Sequence, residues 1–221
     1  MNRPLAPLAL VLALACANPA LAAEDISRIN GSIETTAGGH YGDLETVNGA
    51  VRVAERVQAG ATSTVNGSIR VADGARLESV EAVNGSIRLG RDVQVAGGIE
   101  TVNGSVFVDQ GSRIGHGVET VNGAIGLVRT HLGTGIETVN GNITVGIGSQ
   151  LDGGITVSRP QGWFSAAPKR RPRVVISPGA VVAGPLRFER EVDLYVHRSA
   201  RIGPVTGAEP VIFDTDTAPR D

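Results

Sequence analysis

Short apolar runs alternate with polar residues along this chain, and one such pattern returns seven times. An Asn-Gly pair marks each copy, and consecutive pairs lie about 18 residues apart, as from Asn48 to Asn66. Counted from the residue before each Asn, apolar side chains recur at offsets 0, 4 and 6, as in Val65, Ile69 and Val71. Gly, Asp, Ala and Ser separate the apolar groups. A nearly fixed period of this length indicates a repeat protein with three very short strands per copy.

Two all-β folds could use this pattern. Asn-Gly is the commonest two-residue turn of a β-hairpin, which would give an antiparallel meander of roughly fourteen strands. In a parallel β-solenoid each copy is instead one coil, and equivalent residues of neighbouring coils stack about 4.8 Å apart. Stacking rewards identical neighbours, because each Asn amide can donate to one Asn and accept from the next. The repetition therefore favours a single-stranded parallel β-helix with about 18 residues per coil.

The Asn-Gly pair is then a corner of the coil, and we expect its asparagines to form a hydrogen-bonded ladder. Asn tolerates left-handed backbone angles and Gly reaches them without steric cost, so we expect the pair to adopt them here. The predicted ladder consists of Asn30, Asn48, Asn66, Asn84, Asn103, Asn122 and Asn140.

The chain divides at points where the period begins and ends. Residues 1–22 read as a signal peptide, with Arg3 before an apolar run and a small-x-small cleavage pattern before Ala23. Cys16, the one cysteine, lies in this segment without the residues of a lipoprotein signal, so lipidation is the less favoured alternative. The apolar run is shorter than the roughly 20 residues that span a bilayer. We expect an exported chain, periplasmic or at the cell surface, with no transmembrane segment in its mature form.

After the signal peptide we expect four parts. Residues 23–157 are the solenoid with the seven repeats, and residues 158–173 are a basic and aromatic loop. Residues 174–212 resume short alternating strands and read as C-terminal coils and a cap, and residues 213–221 read as a disordered tail. Nearly balanced charge, with 20 basic and 22 acidic residues, gives no indication of nucleic acid as a partner.

Acidic side chains recur at two offsets. A glutamate column is expected from residues at one shared offset: Glu45, Glu81, Glu100, Glu119 and Glu137, with Ser63 in the gap. Stacked carboxylates repel, so the column either binds divalent cations or stays solvated, and we favour the solvated column. A short arginine column, Arg52, Arg70 and Arg88, would partly offset its charge. Near another corner fall Glu55, Asp73, Asp92 and Asp109, which suit turn residues better than the paired acids of a polysaccharide-cleaving enzyme.

No motif in the chain indicates catalysis, a metal or a cofactor. His40, His116, His131 and His197 share no spacing that would gather metal ligands. Nucleophile-elbow, phosphate-binding and zinc motifs are absent from the sequence. We therefore expect a protein that is not an enzyme and that carries no catalytic, cofactor-binding or metal-binding residues.

One group of residues differs in composition from the rest of the chain. Inside the predicted loop, an aromatic pair is followed by four cations: Trp163, Phe164, Lys169, Arg170, Arg171 and Arg173. Exposed aromatics beside cations suit a partner protein, an anionic glycan or a lipid surface. The alternative is that the aromatics fold back over the solenoid while the basic residues stay solvated.

The repeated unit TVNGSIRV, across residues 28 to about 157, resembles bacterial exported, adhesin-like β-solenoid proteins without assigned biochemistry. The segment VVISPGAVVAGPLRF resembles coils of the bactofilins, a polymer-forming cytoskeletal family. The second resemblance implies a right-handed coil and end-to-end association without a nucleotide, although bactofilins are cytoplasmic and carry no signal peptide. Together the resemblances imply a scaffold or surface-interaction module of the envelope, with an envelope protein or glycan as a further partner. The alternative function is a solenoid that binds or cleaves polysaccharide.

Overall fold

The computed structural model describes residues 23–160 and 171–219, and in these residues the chain is a parallel β-solenoid without a helix. About nine turns of roughly 19 residues stack on one another, and every strand pair is parallel. The fold prediction is confirmed, and the antiparallel alternative is excluded. The predicted signal peptide lies outside the described residues.

Three sheets form the sides of the rod, and sheet A and sheet B each contain ten strands. Sheet A consists of β1 (Glu24–Asn30), β3 (Tyr41–Asn48), β5 (Thr62–Asn66), β8 (Val80–Asn84), β11 (Ile99–Asn103), β14 (Val118–Asn122), β17 (Ile136–Thr138), β20 (Ile155–Val157), β23 (Leu186–Phe188) and β26 (Val205–Thr206). Sheet B consists of β2 (Ile33–Glu34), β4 (Val51–Val53), β6 (Ile69–Val71), β9 (Ile87–Leu89), β12 (Val106–Val108), β15 (Ile125–Leu127), β18 (Ile143–Val145), β21 (Arg173–Ile176), β24 (Asp193–His197) and β27 (Pro210–Phe213).

Sheet C is narrower and shorter, with seven two-residue strands. It consists of β7 (Arg76–Leu77), β10 (Gln94–Val95), β13 (Arg113–Ile114), β16 (His131–Leu132), β19 (Gln150–Leu151), β22 (Val181–Val182) and β25 (Arg201–Ile202). Each coil therefore runs from sheet A through the Asn-Gly corner to sheet B, through a second corner to sheet C, and through a third corner back to sheet A.

The core consists of the inward residues of these strands. In β6, for example, Ile69 and Val71 are buried while Arg70 between them is exposed, which is the alternation that a strand with one solvated face requires. Inward residues stack on their equivalents, as Val51, Ile69 and Ile87 do along sheet B. Each buried Val, Leu or Ile side chain contributes about 1.5–3 kcal/mol of transfer free energy. This stack of aliphatic side chains explains how a chain with few aromatics forms a core.

The two ends of the rod differ. At the N-terminal end, the Arg28 guanidinium donates to Ser32 O and the Tyr41 hydroxyl accepts from Thr36 N, and Ile33 beneath them is only 1% exposed. At the C-terminal end, Val211 and Ile212 of β27 are more than half exposed. Ile33 is therefore buried at the N-terminal end and Ile212 is open at the C-terminal end, but Ile29 of β1 is 73% exposed, so each end leaves some apolar surface open.

Strand boundaries near the predicted loop and tail fall one residue outside the predicted divisions. Arg173, assigned to the loop from sequence, is the first residue of β21. Phe213, assigned to the tail, is the last residue of β27, where it is buried against the ring of His197 at 5.1 Å between centroids. The C-terminal coils therefore include both residues.

Candidate functional site

The predicted asparagine ladder is present at the Asn-Gly corner. In each rung the side-chain amide nitrogen of one Asn donates to the side-chain oxygen of the Asn in the preceding coil. Six such bonds, of 2.9–3.2 Å, join Asn30, Asn48, Asn66, Asn84, Asn103, Asn122 and Asn140. All seven asparagines are exposed, so the ladder lies along an outer edge of the rod.

An arginine from a later coil ends the ladder. Asn140 donates to Asn122, which leaves the Asn140 oxygen as the last acceptor, and Arg190 Nη1 donates to it at 2.6 Å. The same Nη1 also donates to the Val139 carbonyl at 3.0 Å. Burial lowers the pKa of Arg190 below its ordinary value. Arg190 is far from Asn140 in sequence, so no local sequence signal identifies it as the cap.

The glycine of the Asn-Gly pair is required by packing between coils. A Cβ at Gly67 would lie 1.8 Å from the Gly49 carbonyl oxygen, and one at Gly85 would lie 1.7 Å from the Gly67 oxygen. The prediction of left-handed angles at this pair is wrong for the asparagines, none of which has a positive φ. Of the seven glycines only Gly31 and Gly123 have a left-handed φ, of 112° and 148° respectively. The physical reason for glycine is thus the close approach of stacked corners.

Left-handed residues occur instead at the corner between sheet B and sheet C, which we call the αL corner. In each of the first eight coils one residue there has a φ between 42° and 78°: Gly38, Arg56, Gly74, Asp92, Gly111, Arg129, Gly148 and Gly179. Gly fills five of these eight positions, and Arg or Asp fills three. The acidic residues that the sequence places near one corner lie here, and their hydrogen bonds are local or join neighbouring coils.

Asp73 shows what an acid at this corner does. Its carboxylate accepts from the Arg91 backbone amide at 2.9 Å and from the Arg91 guanidinium at 2.8 and 3.0 Å. These bonds hold the pKa of Asp73 below its ordinary value. Asp109 likewise accepts from the adjacent backbone amide of Gln110 at 2.7 Å. The Asp73 contacts tie one coil to the next and the Asp109 contact is local, as expected for turn residues.

The glutamate column runs along the outer face of sheet A. Glu81, Glu100, Glu119 and Glu137 are direct partners in successive strands. Burial raises the pKa of Glu119, and the carboxylates of Glu137 and Glu100 on either side raise it further. Among residues 23–160 and 171–219, no three His, Cys, Asp or Glu side chains are placed to hold a metal ion. The column is a row of exposed carboxylates in which Glu100 and Glu137 disfavour the ionisation of Glu119.

A valine column lies beside the glutamates, two residues further along each strand. It consists of Ile29, Val47, Val65, Val83, Val102, Val121 and Val139. Val47, Val65, Val83, Val102 and Val121 are each about 40% exposed. The apolar residues at offset 0 are thus outside the core, although those at offsets 4 and 6 are buried. Between Ser63 and Ser158 the two columns border a shallow groove of about 490 Å³.

The arginine column lies on the outer face of sheet B. Arg52, Arg70 and Arg88 pair directly in β4, β6 and β9, and Glu34 precedes them in β2. Arg52 donates to Glu34 at 2.6 Å, and the Arg88 guanidinium lies 4.8 Å from the ring centroid of Phe107 in the next coil. Sheet A and sheet B therefore present columns of opposite charge.

The histidines are scattered, as the sequence indicates. His40 forms an isolated parallel bridge with Gln58, and His131 lies several coils away in β16, where its ring nitrogen lies 3.1 Å from the Asp152 carboxylate. His116 lies between β13 and β14. His197 lies in β24, where its Nδ1 contacts the Ser199 hydroxyl at 2.8 Å. No two of them share a metal site in the described residues.

Of the predicted partner-binding loop, Trp163, Phe164, Lys169 and Arg170 lie outside the described residues. The Arg171 guanidinium donates to Glu191 at 2.8 Å. Arg173 stacks its guanidinium over the Tyr195 ring, 4.4 Å from the centroid, and also donates to the Pro219 carbonyl. Arg171 and Arg173 thus contact the C-terminal coils and, through Pro219, the segment that follows them.

The chain matches no protein-family model, no curated protein sequence and no solved structure. Within residues 23–160 and 171–219, no helix has the length and apolar character needed to cross a membrane. The class of protein that fold and surface define is a three-sheeted parallel β-solenoid with an external asparagine ladder.

Proposed function

We propose that this chain is a non-enzymatic, exported β-solenoid that acts as a structural scaffold or surface-interaction module of the bacterial cell envelope and assembles end to end. The observation that carries the proposal is the state of the rod's two ends. β1 and β27 each pair on one side only, and β27 leaves Val211 and Ile212 exposed. Unpaired strand edges are templates for pairing with another chain.

The sides of the rod support the same proposal. The ladder asparagines are engaged with their equivalents in neighbouring coils, and the side chains of the glutamate column are exposed. Stacked parallel strands over about nine turns give a stiff rod on the order of 40 Å long. The likeness of the repeats to adhesin-like solenoids, and of residues 174–188 to bactofilin coils, agrees with an assembly role at or beyond the inner membrane.

The test is the mass and shape of residues 23–221 in solution, from light scattering on a sizing column and electron microscopy of the same fractions. We expect oligomers or filaments that lengthen along the rod axis. Ile212→Lys should shift them towards single chains, because a charge on an open edge opposes pairing. Ile147→Lys is the matched control, since Ile147 is also exposed but follows β18, which lies three strands away from β27 in sheet B. A single-chain mass at every concentration would contradict end-to-end assembly.

A polysaccharide-binding role is the second candidate, and the outer face of sheet C favours it. Arg76, Gln94, Arg113 and His131 line a groove of about 490 Å³ there, together with apolar and small residues of the same strands and corners. Guanidinium and amide groups suit the hydroxyl and carboxylate groups of a glycan. A screen of cell-wall and capsular polysaccharides for binding and cleavage separates the candidates, because a scaffold needs neither.

A further inference from the structure

We propose that two copies of this solenoid pair side by side, with the glutamate column of one copy against the arginine column of another, in parallel and staggered by two coils. This surface deepens the proposed scaffold role and rests on it. The two columns carry opposite charge and lie on different faces of the rod. Contact between them therefore uses the sheet A face of one copy and the sheet B face of the next.

Spacing is the first argument for a second copy as the occupant. Both columns place one side chain per coil, so both repeat at about 4.8 Å along the axis. An extended peptide places same-face side chains about 6.8 Å apart, so its cations would lose register within two residues. Only a partner with the coil repeat keeps charge against charge along the whole column.

Register is the second argument. A stagger of two coils sets Arg52 against Glu81, Arg70 against Glu100 and Arg88 against Glu119. In that register Glu34, which heads the arginine column, faces Ser63, the gap in the glutamate column. A stagger of one coil would set Glu34 against Glu45 and Arg52 against Ser63. A stagger of three coils would set Glu34 against Glu81, so two acids would again face each other. The two-coil stagger is thus the parallel register in which every arginine faces an acid and no acids face each other.

Direction is the third argument. In two parallel rods that meet face to face, the chain crosses the contact in opposite directions. Along each sheet A strand the Glu comes first and the exposed Val follows two residues later, whereas on sheet B a small residue comes two positions before each Arg: Ala50, Ser68 and Ser86. Parallel copies therefore place Glu opposite Arg and Val opposite a small side chain. In antiparallel copies the Val column would face the arginines.

The electrostatics of the isolated chain agree with this pairing. Glu119 lies between two other carboxylates and ionises less readily than an ordinary glutamate. Arg70 forms no side-chain hydrogen bond or ion pair within the described residues. An arginine column laid on the glutamates would relieve both conditions. Because this contact joins different faces, each copy keeps one face open and the assembly extends sideways.

Cysteine cross-linking tests the contact directly, because residues 23–221 contain every described strand and no cysteine. Glu100→Cys and Arg70→Cys chains are mixed and oxidised, and Glu100→Cys with Arg113→Cys on sheet C is the matched control. We expect about tenfold more mixed dimer from the first pair, falling as salt is added. Equal yields from the two mixtures would overturn the proposal.

Orientation and charge are tested by further variants. Arg52→Cys should cross-link to Glu81→Cys in the parallel arrangement, and preference for Glu119→Cys, which an antiparallel pair joined at Arg70 and Glu100 would place opposite Arg52, would overturn it. Arg88→Glu on the Arg70→Cys chain should abolish the excess of mixed dimer, and Glu119→Arg on the Glu100→Cys chain should restore it. Loss without restoration would contradict the charge pairing. Failure of all these cross-links leaves end-to-end assembly intact, because Ile212 lies at the rod's end and these residues lie on its sides.

Discussion

The Asn-Gly corner and the αL corner turn the same chain in every coil, yet they do so by different means. At the Asn-Gly corner the residues are nearly invariant, their φ angles are mostly ordinary, and stacked neighbours are in close contact. At the αL corner the residue in the left-handed conformation varies among Gly, Arg and Asp. A Cβ at Gly74 there would meet only Arg56 Cγ, at 3.4 Å.

The difference shows that two separate constraints act on corner glycines. Contact between coils excludes every side chain at the Asn-Gly corner, because the clash is with a backbone oxygen that cannot move away. Backbone conformation at the αL corner only disfavours a Cβ, at a cost of about 1–2 kcal/mol for an L residue. Repetition is therefore strict where stacked corners leave no room for a Cβ. It is relaxed at the αL corner, where backbone hydrogen bonds such as Gly74 N to Arg91 O still join the coils but a Cβ at Gly74 has space.

The largest effect is expected from a side chain placed between stacked Asn-Gly corners. Gly85→Ala would put a Cβ 1.7 Å from the Gly67 oxygen, so the coils must separate there. We expect a loss of at least about 3 kcal/mol in the free energy of unfolding, measured by urea titration. Gly126→Ala is the control, because a Cβ there meets only Phe107 at 3.5 Å, and it should change stability by less than about 1 kcal/mol.

Removal of one rung should cost less than that clash. Asn84→Ala deletes a bond to Asn66 and a bond from Asn103, and each contributes about 1 kcal/mol net. Because the ladder is exposed, water can satisfy the neighbours, so we expect a loss of about 1–2 kcal/mol by thermal unfolding. Asn30→Ala removes a single bond, from Asn48, and should cost about half as much. Equal losses at both positions would argue against the ladder as the cause.

Relief of strain at the αL corner should raise stability. Arg56 has a φ of 55°, and its one described ion pair is a 3.6 Å exposed contact with Glu55. We expect Arg56→Gly to stabilise the fold by about 0.5–1 kcal/mol, since glycine adopts this φ without strain. Arg76→Gly, within β7 of sheet C, should instead destabilise it. A loss of stability from Arg56→Gly would contradict the prediction, because it would mean that the positive φ of Arg56 is not a source of strain.

Stacked glutamates repel one another, whereas stacked asparagines form hydrogen bonds. Substitution in the glutamate column should change stability the least. Because the pKa of Glu119 is raised in the folded chain, its contribution to stability is full below the unfolded pKa and is lost as the pH rises through the folded pKa. Glu119→Gln should therefore raise the free energy of unfolding at pH 7 by roughly 0.5 kcal/mol, which is measured as a higher melting temperature. Near pH 3 the melting temperature should not change.

Glu45→Gln is the control for that substitution. Glu45 lies between Ser27 and Ser63 in the same column, so it has no carboxylate on either side. Its replacement should leave the melting temperature the same at both pH values. A gain of equal size at Glu45 and Glu119 would mean that repulsion along the column is not its source.

The period and the polarity of the repeats allowed the fold to be predicted, and the Asn spacing allowed the ladder to be predicted. Both could be predicted because equivalent residues of neighbouring coils are in direct contact, so the sequence of one coil restricts which residues its neighbours can carry. The reason for glycine after each Asn was not predicted, since the clash with the preceding coil exists only once the coils are stacked. Gly38, Gly74, Gly111 and Gly148 did carry a signal for the αL corner, but Arg56, Asp92 and Arg129 interrupt it.

The outer surface was harder to predict than the core. Val65 has the same apolar character as Ile69, yet it is 39% exposed because it shares the outward face of its strand with Ser63. Position along the strand, and not hydropathy, decides which of the two is buried. Arg190 as the cap of the ladder depends on a contact with a distant part of the chain, which a periodic pattern does not encode.

The most direct test is a side-by-side comparison of Gly85→Ala with Gly74→Ala in equilibrium unfolding of residues 23–221. The substitution is chemically identical, and only the corner differs. If contact between coils dictates the Asn-Gly repeat, Gly85→Ala should cost at least twice as much free energy as Gly74→Ala, whose loss should be about 1 kcal/mol. An equal or larger loss at Gly74 would contradict this, because backbone conformation and not stacking would then set the glycine positions.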